Sequence, residues 1–223
     1  MPISQFDPQL FIEILPALAY GAFITLKLTT ISILFGLILG TVLGLFRISR
    51  NPVLFGFSTA YVEFIRGTPL LVQIMIVYYG LPEIGIKLPA EVAGILALSL
   101  NSAAYIAEII RAGIQSVPKG QMEAARSLGM TYIQAMRYVV LPQAFRNILP
   151  ALGNEFIALL KDSSLLSVIA IAELTRVGKQ IYSTTFNAWT PLLGVALFYL
   201  MMTLPLSRLV DYAQRRIGGH ESA

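Results

Sequence analysis

The chain has 223 residues, 56% of them hydrophobic and only 13% charged, with a mean hydropathy of +0.73, which excludes an ordinary soluble domain. It contains no cysteine and a single histidine, His220, so the composition argues against disulfide frameworks, zinc sites and imidazole-based catalysis. We attribute the net charge of +4 to basic cytoplasmic loops of a membrane protein and not to nucleic-acid binding.

Five apolar segments come near the ~20 residues that a helix needs to cross a bilayer, which predicts an all-α integral membrane protein with five transmembrane helices. These segments are residues 21–46, 68–80, 92–110, 148–171 and 191–210. Residues 1–20, which come before the first segment, lack the basic region of a cleavable signal peptide. We expect one transmembrane domain over residues 21–216, with residues 217–223 as a tail.

Small residues and prolines mark features within these spans. Gly36, Gly40 and Gly44 repeat every four residues along the first span, a spacing that favours close packing against another helix. Pro69 and Pro82 stand near the two ends of the second span, where they are expected to interrupt it.

The lysines and arginines predict the orientation, because cytoplasmic loops carry an excess of them. Two groups outside the spans fall on opposite sides, and the larger one is assigned to the cytoplasm. The larger group is Arg47, Arg50, Arg66, Arg111, Lys119, Arg126, Arg137, Arg146, Arg208, Arg215 and Arg216, and the smaller is Lys87, Arg176 and Lys179. The N-terminal segment 1–20 is therefore expected to be extracytoplasmic, and the tail and residues 112–146 cytoplasmic.

The polar stretch at residues 120–146 interrupts an otherwise apolar chain. It contains strong helix formers, with Gly129 as a predicted break and Pro142 as a predicted stop. A solvated connector needs less structure than this helix–turn–helix, which is free to present Glu123, Arg126 and Arg137 to water or to another protein.

The sequence EAARSLG, followed by nine residues and VVLP, resembles the EAA loop of bacterial ABC-importer permeases. The family pattern is EAA, three residues, glycine, nine residues and then Ile-x-Leu-Pro. The positions that match are Glu123, Ala124, Ala125, Gly129, Leu141 and Pro142, within a loop at residues 120–142. The single departure is Val139, a conservative replacement for isoleucine.

Three further runs, at residues 63–73, 101–121 and 149–169, resemble the polar amino-acid branch of that family, the histidine, arginine, glutamine and cystine permeases. The resemblance covers nearly the whole chain. It implies a type I ABC-importer permease core with cytoplasmic EAA coupling helices, located in the bacterial inner membrane. It also implies pairing with a second permease subunit as a homo- or heterodimer and delivery of the amino acid by an extracytoplasmic binding protein.

The same resemblance implies that the EAA loop docks into a groove of a cytoplasmic ABC ATPase, with small Ala124 and Ala125 allowing close approach and Glu123 as a charged anchor. The chain has no GxxxxGK[ST] motif, and GKQ at residues 178–180 lacks the required glycine and hydroxyl residue. We therefore expect no cofactor on this chain, no enzymatic activity of its own, and ATP bound by the partner.

Ionisable groups within the spans are the other candidates for function, because a charge near the bilayer centre costs about 2.5–3.5 kcal/mol and usually faces a wet cavity. Glu155 and Asp162 stand seven residues apart on one helix face, beside Lys161. Together with Asn101 and Ser163 they are our candidate substrate-binding residues. With two acids and one base, this face predicts a basic or neutral polar amino acid as substrate.

Structural alternatives exist for several of these groups. Asn101, Tyr105 and Glu108 share one helix face, where Asn101 has the alternative of an interhelical hydrogen bond and Glu108 is assigned to an ion pair with Arg111. Lys161 has the alternative of a carboxylate partner across the bundle or a dimer interface. Lys27 is expected to extend toward the membrane surface without a function.

Other classes of membrane protein are less consistent with the sequence. A membrane-embedded enzyme needs a nucleophile–base pair or a metal site, for which no suitable spacing is present. A passive channel or a scaffold subunit without transport activity remains the alternative, and neither needs an EAA loop.

Overall fold

A computed structural model describes residues 6–218, and all regular structure within this range is helical. Residues 1–5 and 219–223, including His220 and most of the predicted tail, lie outside the described residues. In chain order the α-helices are α1 (Pro8–Arg47), α2 (Pro52–Gly67), α3 (Leu70–Met75), α4 (Leu81–Glu83), α5 (Ala90–Gln115), α6 (Lys119–Ser127), α7 (Tyr132–Ala135), α8 (Leu141–Asp162), α9 (Leu174–Thr185) and α10 (Trp189–Gly218). Two π-helical turns, Ile76–Gly80 and Met136–Val140, precede α4 and α8, and a 3₁₀ segment, Ser163–Ile169, follows α8.

Helix α1 is longer than the predicted first span, because it begins at Pro8 and not at residue 21. The Asp7 carboxylate starts it by accepting hydrogen bonds from the backbone N–H groups of Gln9 and Leu10, at 2.9 and 3.1 Å. The added turns are packed, since Leu18 is fully buried in a cluster that includes residues of α9 and α10. The predicted extracytoplasmic segment is therefore helical from Pro8 onward.

The predicted glycine stripe of α1 packs against α5. A Cβ atom on Gly40 would lie 2.7 Å from the Ala103 carbonyl oxygen, and one on Gly44 would lie 3.0 Å from the Ala107 carbonyl oxygen. Both distances are shorter than van der Waals contact, so only glycine allows this separation of the two helices. The close-packing role predicted for the stripe is confirmed.

The second predicted span, residues 68–80, is the second member of a bent pair of helices. Helix α2 and the segment Leu70–Glu83 meet at an angle of 102° around Thr68 and Pro69. The interruption predicted at Pro69 is confirmed, whereas the one predicted at Pro82 is wrong, because helical structure continues through Pro82 to Glu83. The π-helical turn explains this, since the Leu81 N–H donates to the Ile76 carbonyl and the wider turn accommodates the proline ring.

The prediction that Pro142 stops a helix is also wrong, and again a π-helical turn explains why. Pro142 is the second residue of α8, and helical structure runs without a break from Tyr132 to Asp162. The Leu141 N–H donates to the Met136 carbonyl oxygen in the preceding π-helical turn. The break predicted at Gly129 is confirmed, because Gly129 follows the end of α6 with a φ angle of +87°.

Three described helices, α1, α5 and α10, are long and apolar enough to cross a membrane, and the bent pair α2 with Leu70–Glu83 makes a fourth candidate. Helix α8, the predicted fourth span, is not among them because it carries several polar and charged side chains. It also ends at Asp162, nine residues before the predicted end at residue 171. Five spans therefore stays a prediction for this chain.

Candidate functional site

The polar face at the end of α8 carries most of the predicted substrate-binding residues. Glu155 is half-buried and faces Ser102 of α5, whereas Lys161 and Asp162 are exposed. Glu155 and Asp162 are near enough to interact electrostatically, as expected for residues two helical turns apart. Among the described residues no carboxylate lies within 4.0 Å of the Lys161 ammonium, so a carboxylate partner for Lys161 is not found in this part of the chain.

Ser163 lies directly beyond this face, at the start of the 3₁₀ segment. Its side chain is fully buried, and its hydroxyl donates to the Leu160 carbonyl oxygen at 2.8 Å. That hydrogen bond satisfies a carbonyl group at the end of α8, where carbonyls lose their helical partners. Ser163 therefore lies beside the polar face, but its hydroxyl is engaged by the Leu160 carbonyl.

Asn101 forms a hydrogen bond with a residue outside this group. Its Nδ2 donates to Oε1 of Gln73 at 3.0 Å, and the Asn101 side chain is buried. Gln73 Nε2 in turn donates to the Ile65 carbonyl oxygen at 2.7 Å and to Oγ1 of Thr68 at 2.9 Å. The interhelical alternative for Asn101 is thus observed, and the amide network holds the bend between α2 and α3 against α5.

Glu108 forms the ion pair assigned to it. Both of its carboxylate oxygens accept from Arg111, with Nε at 3.0 and 3.1 Å, and Arg47 of α1 approaches with its Nε at 3.6 Å. Tyr105 lies one turn earlier, and the guanidinium carbon of Arg66 is 5.2 Å from the centre of its ring. These contacts connect α1, α2 and α5, so this face of α5 is engaged in packing contacts.

Sequence reasoning missed Glu173, which is fully buried. Its carboxylate accepts from the backbone N–H groups of Thr175 and Arg176, at 2.8 and 2.7 Å, and from the Tyr199 hydroxyl at 3.3 Å. Glu173 therefore caps α9 and joins it to α10. A lone acid that follows an apolar run and precedes a helix is the signal that pointed to it.

Lys27 also has a partner that the sequence did not indicate. Its ammonium lies 3.2 Å from Oε2 of Glu91 at the start of α5, and both side chains are partly exposed. An exposed pair of this kind contributes little to stability, because water screens the two charges.

The predicted coupling segment forms an exposed projection made of α6, the turn at Gly129 and α7. Glu123 and Ala124 are exposed, whereas Ala125 is 4% exposed and packs toward the rest of the chain. The tip also exposes large apolar side chains, with Leu128 at 83% and Ile133 at 76%. Exposed apolar side chains beside polar ones are typical of a surface that binds another protein.

The end of the EAA-like pattern lies away from this tip. Leu141 and Pro142 are the first two residues of α8, directly after the π-helical turn Met136–Val140. A single continuous helical path therefore links the exposed tip at Tyr132 to the polar face at Glu155 and Asp162. Along this path the π-helical turn Met136–Val140 is the only departure from α-helical geometry.

Comparison with known proteins relates this chain to permease subunits of transport systems. The family model described as "Binding-protein-dependent transport system inner membrane component" matches residues 32–219. The probable glutamine ABC transporter permease protein GlnM of Bacillus subtilis is 45% identical over 88% of this chain and 91% of its own length. The arginine transport system permease protein ArtQ of the same organism is 42% identical over 93% of this chain and 95% of its own length.

Solved structures share the fold. A crystal structure of an amino acid ABC transporter with histidines contains a chain 47% identical to this one, with a TM-score of 0.91 over 95% of this chain and 99% of that chain. The MetNI methionine ABC transporter in an inward-facing conformation matches at 24% identity, with a TM-score of 0.79 over 92% of this chain and 98% of that chain. The helical architecture is therefore the type I importer permease fold, and the chain belongs to the family of binding-protein-dependent transport system inner membrane components.

Proposed function

We propose that this chain is the permease subunit of an ATP-driven amino-acid importer. The observation that carries the proposal is the continuous helical path from an exposed, partly apolar tip at α6 and α7 to a face with Glu155, Lys161 and Asp162. A transport subunit driven by another protein needs both parts, a docking surface outside the lipid and charged groups along the pathway. The glutamine and arginine transport permeases that this chain is similar to support an amino acid as substrate.

The polar face of α8 favours a basic or neutral polar amino acid. Glu155 and Asp162 supply two carboxylates for the α-ammonium group and for a cationic side chain. Lys161 has no carboxylate partner among the described residues and is available for the substrate carboxylate. Asn101 and Ser163 support the helices that carry the site, since Asn101 Nδ2 and the Ser163 hydroxyl each donate to a partner within the chain.

The coupling surface consists of Glu123 and Ala124 with the turn at Gly129. Buried Ala125 packs this segment against the rest of the chain, and Leu141 and Pro142 begin the helix that leads into the membrane. An ABC ATPase subunit binds this surface in the cytoplasm and supplies all of the nucleotide chemistry. The permease itself carries no cofactor and hydrolyses no ATP in this proposal. The N-terminus is extracytoplasmic, in accordance with the distribution of lysine and arginine.

Two further partners complete the importer. A second permease subunit, identical or related, packs against this one. Helix α10 offers surface for it, because only 11% of its most apolar stretch is buried within the chain. An extracytoplasmic binding protein delivers the amino acid on the opposite side from the ATPase. Nucleic acid has no role.

Reconstitution tests this function against a passive channel or a scaffold. The chain is expressed with its neighbouring ATPase subunit, purified as a complex and placed in liposomes that contain ATP inside, with the binding protein outside. We expect amino-acid uptake that requires internal ATP and retention of the ATPase through purification. Amino-acid flux without ATP, or retention of the ATPase without any uptake, would instead support a channel or a scaffold.

A further inference from the structure

A basic cleft lies between the end of α1 and the coupling segment. Its volume is about 510 Å³, and it is lined by Leu45, Ile48, Ser49, Arg50, Arg126 and Tyr132. A second cleft of about 670 Å³ shares Arg50 and Tyr132 with it and adds Lys119 as a further cation. The two clefts bring together residues from four helices, since α1, α5, α6 and α7 each contribute.

The clefts have a positive charge that no acidic residue in their lining balances. Their lining includes Arg50, Lys119 and Arg126 and no aspartate or glutamate. Among the described residues, no carboxylate lies within 4.0 Å of the side-chain nitrogens of these three residues. Arg126 donates one hydrogen bond to the Met130 carbonyl oxygen at 2.8 Å, which leaves the other donors of its guanidinium for a ligand.

The sequence places the first cleft next to the end of the first apolar segment. The apolar run of α1 ends at Phe46, and Arg47 and Arg50 follow immediately. Leu45, on the last turn of α1, is 48% exposed, so the cleft has an apolar rim next to its basic interior. A ligand that fits this arrangement has an anionic group and an apolar part, and basic pockets at the cytoplasmic ends of spanning helices bind phospholipid headgroups.

We propose that the cleft at Arg50, Arg126 and Tyr132 binds the phosphate headgroup of an anionic phospholipid. The guanidinium groups of Arg50 and Arg126 donate charge-assisted hydrogen bonds to the phosphate oxygens, and the Tyr132 hydroxyl donates a third. The acyl chains extend along Leu45 toward the membrane. Because Arg50 follows a spanning helix whereas Arg126 belongs to α6, the bound lipid bridges the membrane surface and the coupling segment.

The test measures binding of short-chain phosphatidylglycerol and phosphatidylcholine to the purified full chain in detergent, with native mass spectrometry as the readout. We expect tighter binding of phosphatidylglycerol, and a loss of about five-fold in its affinity for Arg50→Gln, since one basic side chain near a lipid surface contributes about 1 kcal/mol. Tyr132→Phe serves as a second variant that leaves all charges in place and also lowers the affinity. Arg208→Gln is the matched control, because it removes an exposed basic charge from α10 and should leave the affinity within the experimental error.

Competition experiments and a comparison of variants identify the source of the anionic group. Inorganic phosphate should displace phosphatidylglycerol no better than chloride of the same ionic strength, and effective displacement by phosphate alone would overturn the lipid assignment. Equal losses of affinity in Arg50→Gln and Arg208→Gln would also overturn it, because they would indicate attraction by overall charge. If Arg50→Gln and Tyr132→Phe keep wild-type lipid affinity but lose the ATPase subunit during purification, the cleft binds protein and the proposal is wrong.

Discussion

The Nδ2 atom of Asn101 on α5 donates to Oε1 of Gln73 on α3 at 3.0 Å, and both side chains are buried. Gln73 also caps the last turn of α2 by donating to the Ile65 carbonyl oxygen. The sharp bend of the second span is thereby held in place by side-chain amides and not by backbone hydrogen bonds alone. A polar network of this kind fixes the geometry of a bend only while every member is satisfied.

Replacing Gln73 is therefore expected to destabilise the protein. Gln73→Leu leaves the Asn101 amide and the Ile65 carbonyl without their partner, and a buried unsatisfied group costs about 1–3 kcal/mol. Thermal unfolding in detergent should show a lower midpoint for Gln73→Leu and for Asn101→Leu. The double variant should lose less than the sum of the two single losses, and strict additivity would contradict a direct interaction.

Gly40 and Gly56 form a matched pair for testing the contact between α1 and α5. Gly40→Ala places a methyl group 2.7 Å from backbone and side-chain atoms of α5, so we expect a loss of about 1–3 kcal/mol in the free energy of unfolding. A Cβ atom on Gly56 meets no atom within 4 Å, and alanine there should be neutral or stabilising by up to about 1 kcal/mol. Equal effects of the two substitutions on unfolding in detergent would contradict the close packing.

Coupling to the ATPase should depend on Glu123 and Gly129. Glu123→Lys reverses an exposed charge, and Gly129→Asp adds a side chain at a φ angle of +87°, which L residues adopt only with strain of about 1–2 kcal/mol. Both variants should reach normal abundance in the membrane but lose ATP-dependent uptake, because neither change affects a buried surface. Gly85→Asp is the control, since Gly85 has the same φ angle of +87° and an open Cβ position but lies outside the coupling segment. Normal uptake by Glu123→Lys and Gly129→Asp at wild-type abundance would rule out this coupling surface.

Selectivity for charge should depend on Asp162. Asp162→Asn removes one of the two carboxylates on the polar face of α8 while keeping the size of the side chain, so uptake of arginine should fall more than uptake of glutamine. The measurement is competition between labelled substrates in liposomes that contain the complete importer. Saturable import of glutamate at higher affinity than arginine or glutamine would show that this face does not determine selectivity.

The orientation can be tested with single cysteines, because the natural chain contains none. A cysteine in place of exposed Arg126 should react with a membrane-impermeant maleimide only after the cytoplasmic side is made accessible. A cysteine in place of exposed Lys87 should react in intact cells. The opposite labelling pattern would reverse the predicted topology.

The sequence by itself determined the features that depend on local composition and on the solvent. Long apolar segments predicted the helices α1, α5 and α10, which are long and apolar enough to span a membrane. Apolar side chains are stable in a bilayer, and a helix satisfies its backbone hydrogen bonds internally. The four-residue glycine spacing predicted close packing on one face of α1, and Gly129 predicted the turn after α6. The EAA-like pattern identified the projection that the structure exposes at Leu128 and Ile133.

The tertiary structure decided which polar groups meet, because their partners come from distant parts of the chain. Periodicity placed Asn101 on a face with Tyr105 and Glu108, but only the packing of α3 against α5 assigned its amide to Gln73. A local pattern is consistent with Glu173 as the cap of α9, but its complete burial results from the packing of α9 against α1 and α10. Pro82 and Pro142 likewise lie within helices. In each case the residue before the proline donates to the carbonyl five residues earlier, and this π-helical turn accommodates the proline ring.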